Sequence, residues 1–419
     1  MKGSQSVQSH LLDLLIADPS SAHAGQRRHI SVRDGVISAI SITKPEVAES
    51  DTVVDLEGRS ALPGLVNAHD HLYSHELRTP RIGWGLPEMR AWLDVRDVPT
   101  TLATMLDAGL HGLTQGITTV RDLGALHGLN IALSRSVGGA QLLGPTVVPA
   151  GRPIVMTGGH VHGFGREADG PWDCRRAVRE QVKAGAKIIK IMGSGGLSHF
   201  PAEDFGLPQF TEQELAAIVD EARSAGVPSC AHVFGADAVA RVVEAGVDSV
   251  EHGVEIDDDT LQVMARRGVT YVPTLANMRR IASTEFNIAA GMPSRAEILR
   301  EGVVKPHADT FRRALAAGVR IGLGTDSTGT YGEELEAMSE LGMSFGQLLS
   351  AATIDGAAIC RQMTGAIEVG RRADLAIYDF VPSRPAELVT PTHICTAGRL
   401  VDVATVATMR RMESNAGSH

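Results

Sequence analysis

Apolar and polar positions along this chain follow two alternating rhythms. Short runs rich in Val, Ile and Leu recur at residues 62–68, 118–122, 146–154, 187–192, 228–232, 249–252, 270–274 and 321–325. Continuous apolar runs of this length predict strands covered on both faces, as in parallel sheets. Between them lie helix-like segments at 99–112, 174–184, 212–225, 236–244, 258–267 and 296–316. Thr211 precedes Glu212 and Glu214, a capping-box pattern. Most of these segments end on a glycine (Gly185, Gly226, Gly246, Gly268, Gly318), which tolerates the left-handed turn after a helix. Repeated helix–Gly–strand steps predict βαβ units. Eight such strands are expected to close into a TIM-like (β/α)8 barrel, with an open doubly wound α/β sheet as the competing arrangement.

The two ends have a different rhythm. Residues 27–58, 370–379 and 396–402 alternate short apolar pieces with turn signals such as Asp34-Gly35 and Glu57-Gly58. We expect a small β-sandwich domain built from residues 1–60 together with 362–419, beside a barrel at 61–361. The tail 412–419 is expected to fray.

Composition narrows the function classes. The 419 residues are 43% hydrophobic and 21% charged, as in ordinary globular proteins. With 39 basic and 49 acidic side chains the net charge is −10, which argues against a grip on nucleic-acid phosphates. No apolar run approaches the roughly 18 residues of a membrane span. The start of the chain lacks the uninterrupted apolar core of a secretory signal. Cys174, Cys230, Cys360 and Cys395 have no metal-type spacing, so buried thiols in a reducing cytoplasm are expected.

The candidate chemistry sits at strand ends. His69 and His71 follow an apolar run, and positions two apart on a strand point the same way, so both imidazoles can grip one cation. Lys190, His232, His252 and Asp326 each fall at the end of another predicted strand, where barrel enzymes gather their working groups. Alone, each has an ordinary reading: a core histidine, or an aspartate capping a turn. Together, four imidazoles and a carboxylate suit Zn²⁺, Mn²⁺, Fe²⁺ or Co²⁺, with zinc favoured by the nitrogen-rich set. An ammonium cannot ligate a cation. Lys190 has an ordinary reading as a lysine paired with an acid; as a CO₂-derived carbamate it would become an anion able to bridge two metals. Lys187 and Lys190, three apart on a strand, face opposite ways, so only one can point inward.

The stretches Pro63-Gly-Leu-Val-Asn-Ala-His-Asp-His71, Ile189-Lys-Ile-Met-Gly-Ser-Gly-Gly196, Cys230-Ala-His232, Val250-Glu-His-Gly253, Gly322-Leu-Gly-Thr-Asp-Ser327 and 364–378 resemble the amidohydrolase superfamily over nearly the whole chain. The resemblance is to its prolidase-like, imidazolonepropionase-like and ochratoxin-amidase branches. It implies two divalent metal ions. His69, His71 and Asp326 would hold one and His232 and His252 the other, with carbamylated Lys190 bridging. It further implies that His160, in Met156-Thr-Gly-Gly-His160, polarises the scissile carbonyl, and that the enzyme is often a homo-oligomer. The chain departs from the dipeptidase-like members at Phe234, where they carry a tyrosine that helps bind substrate oxygen. Losing that hydroxyl points to a more apolar or aromatic substrate than a peptide carboxylate. Gly235 stands where the single-metal deaminases carry a glutamate, which lowers deamination.

The expected reaction is hydrolysis of an amide C–N bond in a small molecule, N-acyl amino acid or dipeptide-like substrate by a metal-bridging hydroxide. Asp326 would act as proton shuttle. Lactonase or phosphotriesterase chemistry is the alternative, and a non-catalytic scaffold a third. His162 and Phe234 are candidate substrate contacts. Loop residues His75, Arg78, Arg81, Trp84, Trp92, His199, Phe200, Glu203 and Asp204 are lid or surface candidates.

Overall fold

The computed structural model describes residues 8–78, 96–139, 141–197, 205–289 and 291–416. The chain opens with β1 (Gln8–Ile16), β2 (Arg27–Arg33), β3 (Val36–Ser41), β4 (Thr52–Asp55) and β5 (Ser60–Pro63). The middle contributes β6 (Leu65–Asp70), β7 (Ile117–Asp122), β8 (Thr146–Pro149), β9 (Ile154–Val155) and β10 (Arg166–Glu167). It continues with β11 (Ile189–Met192), β12 (Ser229–Phe234), β13 (Ser249–Val254) and β14 (Thr270–Val272). The end supplies β15 (Leu375–Tyr378), β16 (His393–Thr396) and β17 (Arg399–Asp402).

Strands from both chain ends form one eight-stranded sheet, ordered β17-β16-β15-β5-β1-β2-β3 with β4 beside β1. Its hydrogen bonding follows one continuous sheet, where a sandwich of two was expected. A bulge between Leu11 and Leu14, with Asp13 at φ 53°, breaks its register and bends the strand locally. Leu14, Ile16, Ile30, Leu375, Ile377 and Cys395 form its apolar core. The middle strands run parallel in two sheets, β6-β7-β8 and β10-β9-β11-β12-β13-β14. The central strands β11, β12 and β13 are buried along their length because helices cover the outer side. The result is an α/β fold.

The expected strand 146–154 is two strands, since Pro149 and Pro153 lack the amide a continuous ladder needs. The expected strand 321–325 makes one ladder contact, Tyr271 with Ile321. Gly322 and Gly324 weaken it. Gly324 is required by crowding: a Cβ there would lie 2.6 Å from the Cβ of His69. The segment nonetheless ties β14 to β6. Gly322 N donates to Tyr271 O (2.9 Å), and Ala68 N donates to Leu323 O (2.7 Å). On the other side, Lys187 N donates to Pro149 O at 2.8 Å. The expected helix 296–316 is the helix Arg295–Leu299, a π-turn at Arg300–Val304 and the helix Lys305–Ala316. Pro306 has no amide to bond back one turn, and the widened turn precedes it. The tail expected to fray is helical to Ala416, docked by Arg410 on Asp107 (2.7 Å) and by buried Val406. No helix among the described residues is long and apolar enough to cross a membrane.

Candidate metal centre

The parallel strands deliver their terminal side chains to one place. His69 lies on β6 and His71 one residue past its end, and their rings lie 5.4 Å apart at 70°. Asn67, on the same strand, spans to the opposite segment: its Nδ2 donates to Thr325 Oγ1 (2.8 Å) and to Asp70 Oδ2 (2.9 Å). The His232 ring lies 4.7 Å from that of His252, edge-on, and the His252 ring lies 5.0 Å from that of His69. Ligand atoms of His69, His252 and Asp326 all fall within 4.8 Å of one another.

Each imidazole has one nitrogen fixed by an outer partner. His69 Nδ1 donates to Glu251 Oε2 at 2.8 Å. That bond sets the tautomer and leaves Nε2 with a bare lone pair. The Nε2 atom is buried with no hydrogen-bond partner and lies 3.8 Å from Asp326 Oδ1. His71 Nδ1 donates to the Gly124 carbonyl at 2.9 Å, and its Nε2 lies 3.6 Å from Asp326 Oδ1. His232 Nε2 donates to the Gly195 carbonyl at 3.0 Å. His252 Nδ1 lies 2.7 Å from Thr274 Oγ1, whose own hydroxyl donates to Pro273 O. Asp326 is held at both oxygens: Oδ1 accepts from Ser327 N (2.6 Å) and Oδ2 from Asn277 Nδ2 (2.7 Å).

The backbone bends to achieve this. On a regular strand Glu251 and His252 would face opposite sides. His252 has φ 67°, Thr274 56° and Asp326 53°. All three lie in the left-handed region that non-glycine residues seldom occupy. Tyr271 Oη donates to the His252 carbonyl at 2.8 Å, which pins that turn.

Burial, together with neighbouring positive groups, holds His69, His232 and His252 well below the ordinary imidazole range. They therefore present neutral lone pairs. Burial also pulls the Lys190 ammonium down. Its Nζ has no hydrogen-bond partner and the residue is 1% exposed, whereas Lys187 faces solvent. The orphaned Nε2 of His69, the convergent neutral imidazoles and the Asp326 carboxylate fit a divalent cation.

His160 is buried and stacks on His232, with centroids 4.6 Å apart at 27°. Its amide donates to Gln209 Oε1 at 2.9 Å. Gly196 lies directly against it, for a Cβ there would sit 2.1 Å from the His160 ring. His162 is partly exposed, with Nδ1 on the Gly159 carbonyl at 2.9 Å. Phe234 is 1% exposed and lies flat on His252 (5.4 Å, 8°), so its contacts are with imidazoles and an apolar cluster. Arg81, Trp84, Trp92, His199, Phe200, Glu203 and Asp204 lie outside the described residues, as does the side chain of Arg78.

Sequence reasoning missed the outer partners. Glu251 also accepts from Arg121 Nη2 (2.8 Å) and Ser249 Oγ (2.6 Å), and Arg121 reaches the Ala68 carbonyl and Ser249 Oγ (3.0 Å). Register carried the signal: on β12 and β13, His232 pairs with Glu251 and Cys230 with Ser249. Glu334 accepts from Leu275 N (2.9 Å) and Ala276 N (2.6 Å), fixing the helix Leu275–Ile281 that carries Asn277.

Comparison with known proteins gives this arrangement a context. Residues 60–409 match the amidohydrolase family. An uncharacterized protein of Mycobacterium tuberculosis is 28% identical over 94% of this chain and 96% of its own length. Ochratoxinase from Aspergillus niger is 27% identical, covering 69% of this chain and 66% of that one. A solved Xaa-Pro dipeptidase with bound methionine is 27% identical, covers 94% of this chain and 100% of that one, and superposes with a TM-score of 0.79.

Proposed function

This chain belongs to the amidohydrolase family and is a hydrolase of C–N bonds, and from that premise we propose a metal-dependent amidase acting on a small N-acyl amino acid or dipeptide-like substrate. Backbone bonds link β14 through residues 321–325 to β6, and β8 to the start of β11. They support reading the parallel strands as a closed (β/α)8 barrel. In this reading His69, His71 and Asp326 would hold one cation and His232 and His252 a second, with Lys190 contributing as its carbamate. Divalent cations bound there, zinc by the donor set, would supply a nucleophile from water near neutral pH and polarise the scissile carbonyl.

The remaining steps belong to the protein. Asp326 is oriented by Asn277 and Ser327. It takes the proton of the attacking water and passes it to the leaving nitrogen. His160, stacked on His232, faces the developing oxyanion and donates to it. The Glu251 carboxylate keeps His69 in the tautomer that presents Nε2 inward.

The convergence of His69, His252 and Asp326 ligand atoms within 4.8 Å carries this reading. Elemental analysis of the purified protein, with turnover of an amide and an ester panel before and after chelation, tests it. Bound transition metal and metal-dependent amide cleavage are expected. Less than one equivalent of metal with no gain on adding zinc, or cleavage of esters alone, refutes it. Asp326→Asn is expected to retain metal and to lose turnover by about 10³-fold, the scale of a missing acid–base group.

A further inference from the structure

Arg295 is buried, and its guanidinium is only partly hydrogen-bonded. It opens the helix Arg295–Leu299, in the excursion between β14 and the helix Lys305–Ala316, and is 4% exposed. Its Nη2 donates to the Leu197 carbonyl. Its Nε and Nη1 are buried and have no hydrogen-bond partner, and among the described residues no Asp or Glu pairs with it. A guanidinium stays protonated even in apolar surroundings, so burying one uncompensated is costly unless an anion completes it. His69 Nε2 and Lys190 Nζ share this signature of a buried polar atom with no partner.

Its neighbours set it beside the site. Leu197 follows Gly195, whose carbonyl accepts a hydrogen bond from His232 Nε2, and Gly196, which lies against the His160 ring. Leu197 also packs in an apolar cluster with Phe234, Met278, Ile281 and Leu299. Phe234 lies flat on His252. The guanidinium is therefore held where the loops after β11 and β14 meet, next to an apolar layer that backs onto two imidazoles.

Resting on the amidase reading, we propose that Arg295 recognises a carboxylate on the substrate. The preferred substrates are then N-acyl amino acids or dipeptides whose free carboxylate neighbours an apolar side chain. Phe234 cannot donate to a carboxylate; Arg295 supplies the N–H donors and the charge together.

The test compares N-benzoyl-L-phenylalanine with N-benzoylphenethylamine, the same amide without its carboxylate, on the metal-loaded full chain. Binding is followed by calorimetry and turnover by steady-state kinetics. The acid is expected to bind tighter and to show a kcat/KM about 100-fold higher, as befits a charge pair shielded from water. Arg295→Met is expected to bring that ratio close to one, mainly through KM, and Arg295→Lys to keep part of it. The lysine variant carries the comparison if the methionine variant does not fold. Equal binding of both probes, binding of neither, or an unchanged ratio in Arg295→Met overturns the proposal and leaves Arg295 as a tie between two loops. Arg295-dependent binding without hydrolysis upholds it while refuting the amidase reading. Hydrolysis with no preference does the reverse.

Discussion

Arg121 and Lys190 are two long cationic side chains on neighbouring stretches of parallel sheet, each 1% exposed, and they are treated in opposite ways. Arg121 spends its donors on Ala68 O, Ser249 Oγ and Glu251 Oε1. Lys190 Nζ meets no hydrogen-bond partner. The fold completes the first group from within. The second receives no such completion from the fold. A buried polar network that is fully satisfied supports a site, whereas an unsatisfied group beside it marks where something must bind.

This contrast can be broken by substitution. Lys190→Met should cost about 10³-fold or more in kcat/KM, the scale of losing a cation's contribution. The same change should leave the urea stability of metal-free protein unchanged or raised, since it removes an uncompensated buried amine. A marked loss of stability would mean that Lys190 is compensated after all. Arg121→Met should do the reverse and lower metal-free stability by about 3–5 kcal/mol, because it strands the Glu251 charge.

His307 sharpens the contrast through pH. Burial holds this imidazole down at about 4, below the 6.5 of an exposed one. Because the folded value is the lower, its contribution is complete above pH 6.5. It is lost as pH falls from there towards the folded value, when the unfolded chain takes up the proton first. The loss is on the order of 3 kcal/mol. Unfolding titrations of His307→Asn should show a flatter acid limb than the native protein; parallel limbs would exclude His307 as the source. The smallest effect is expected from Glu251→Gln. It keeps the shape and a hydrogen bond to His69 but removes the charge, and zinc affinity should fall about 10- to 100-fold in competition with a chelating dye.

Much of the fold was legible in the sequence because it rests on local rhythm. The helix stops at Gly185, Gly246 and Gly268 all adopt positive φ as helix caps. Strand ends bearing His69, His232 and His252 were visible for the same reason. What stayed hidden depends on contacts between distant segments or on departures from regular geometry. Glu251 was passed over because alternation sends it away from His252, and only the turn at φ 67° lets both serve one place. Asn277 and Arg295 lie in the excursion after β14, where no periodicity says which side chains turn inward. The π-turn ahead of Pro306 was missed because a helical pattern can run through it unbroken.

The eight-stranded sheet has a consequence for how the molecule is made. Ser60–Pro63 pairs on one side with β1 and on the other with Leu375–Tyr378, which lies more than 300 residues further along the chain. During synthesis that edge stays open until nearly all of the polypeptide has left the ribosome. Nascent chains that stall late therefore expose a sticky strand.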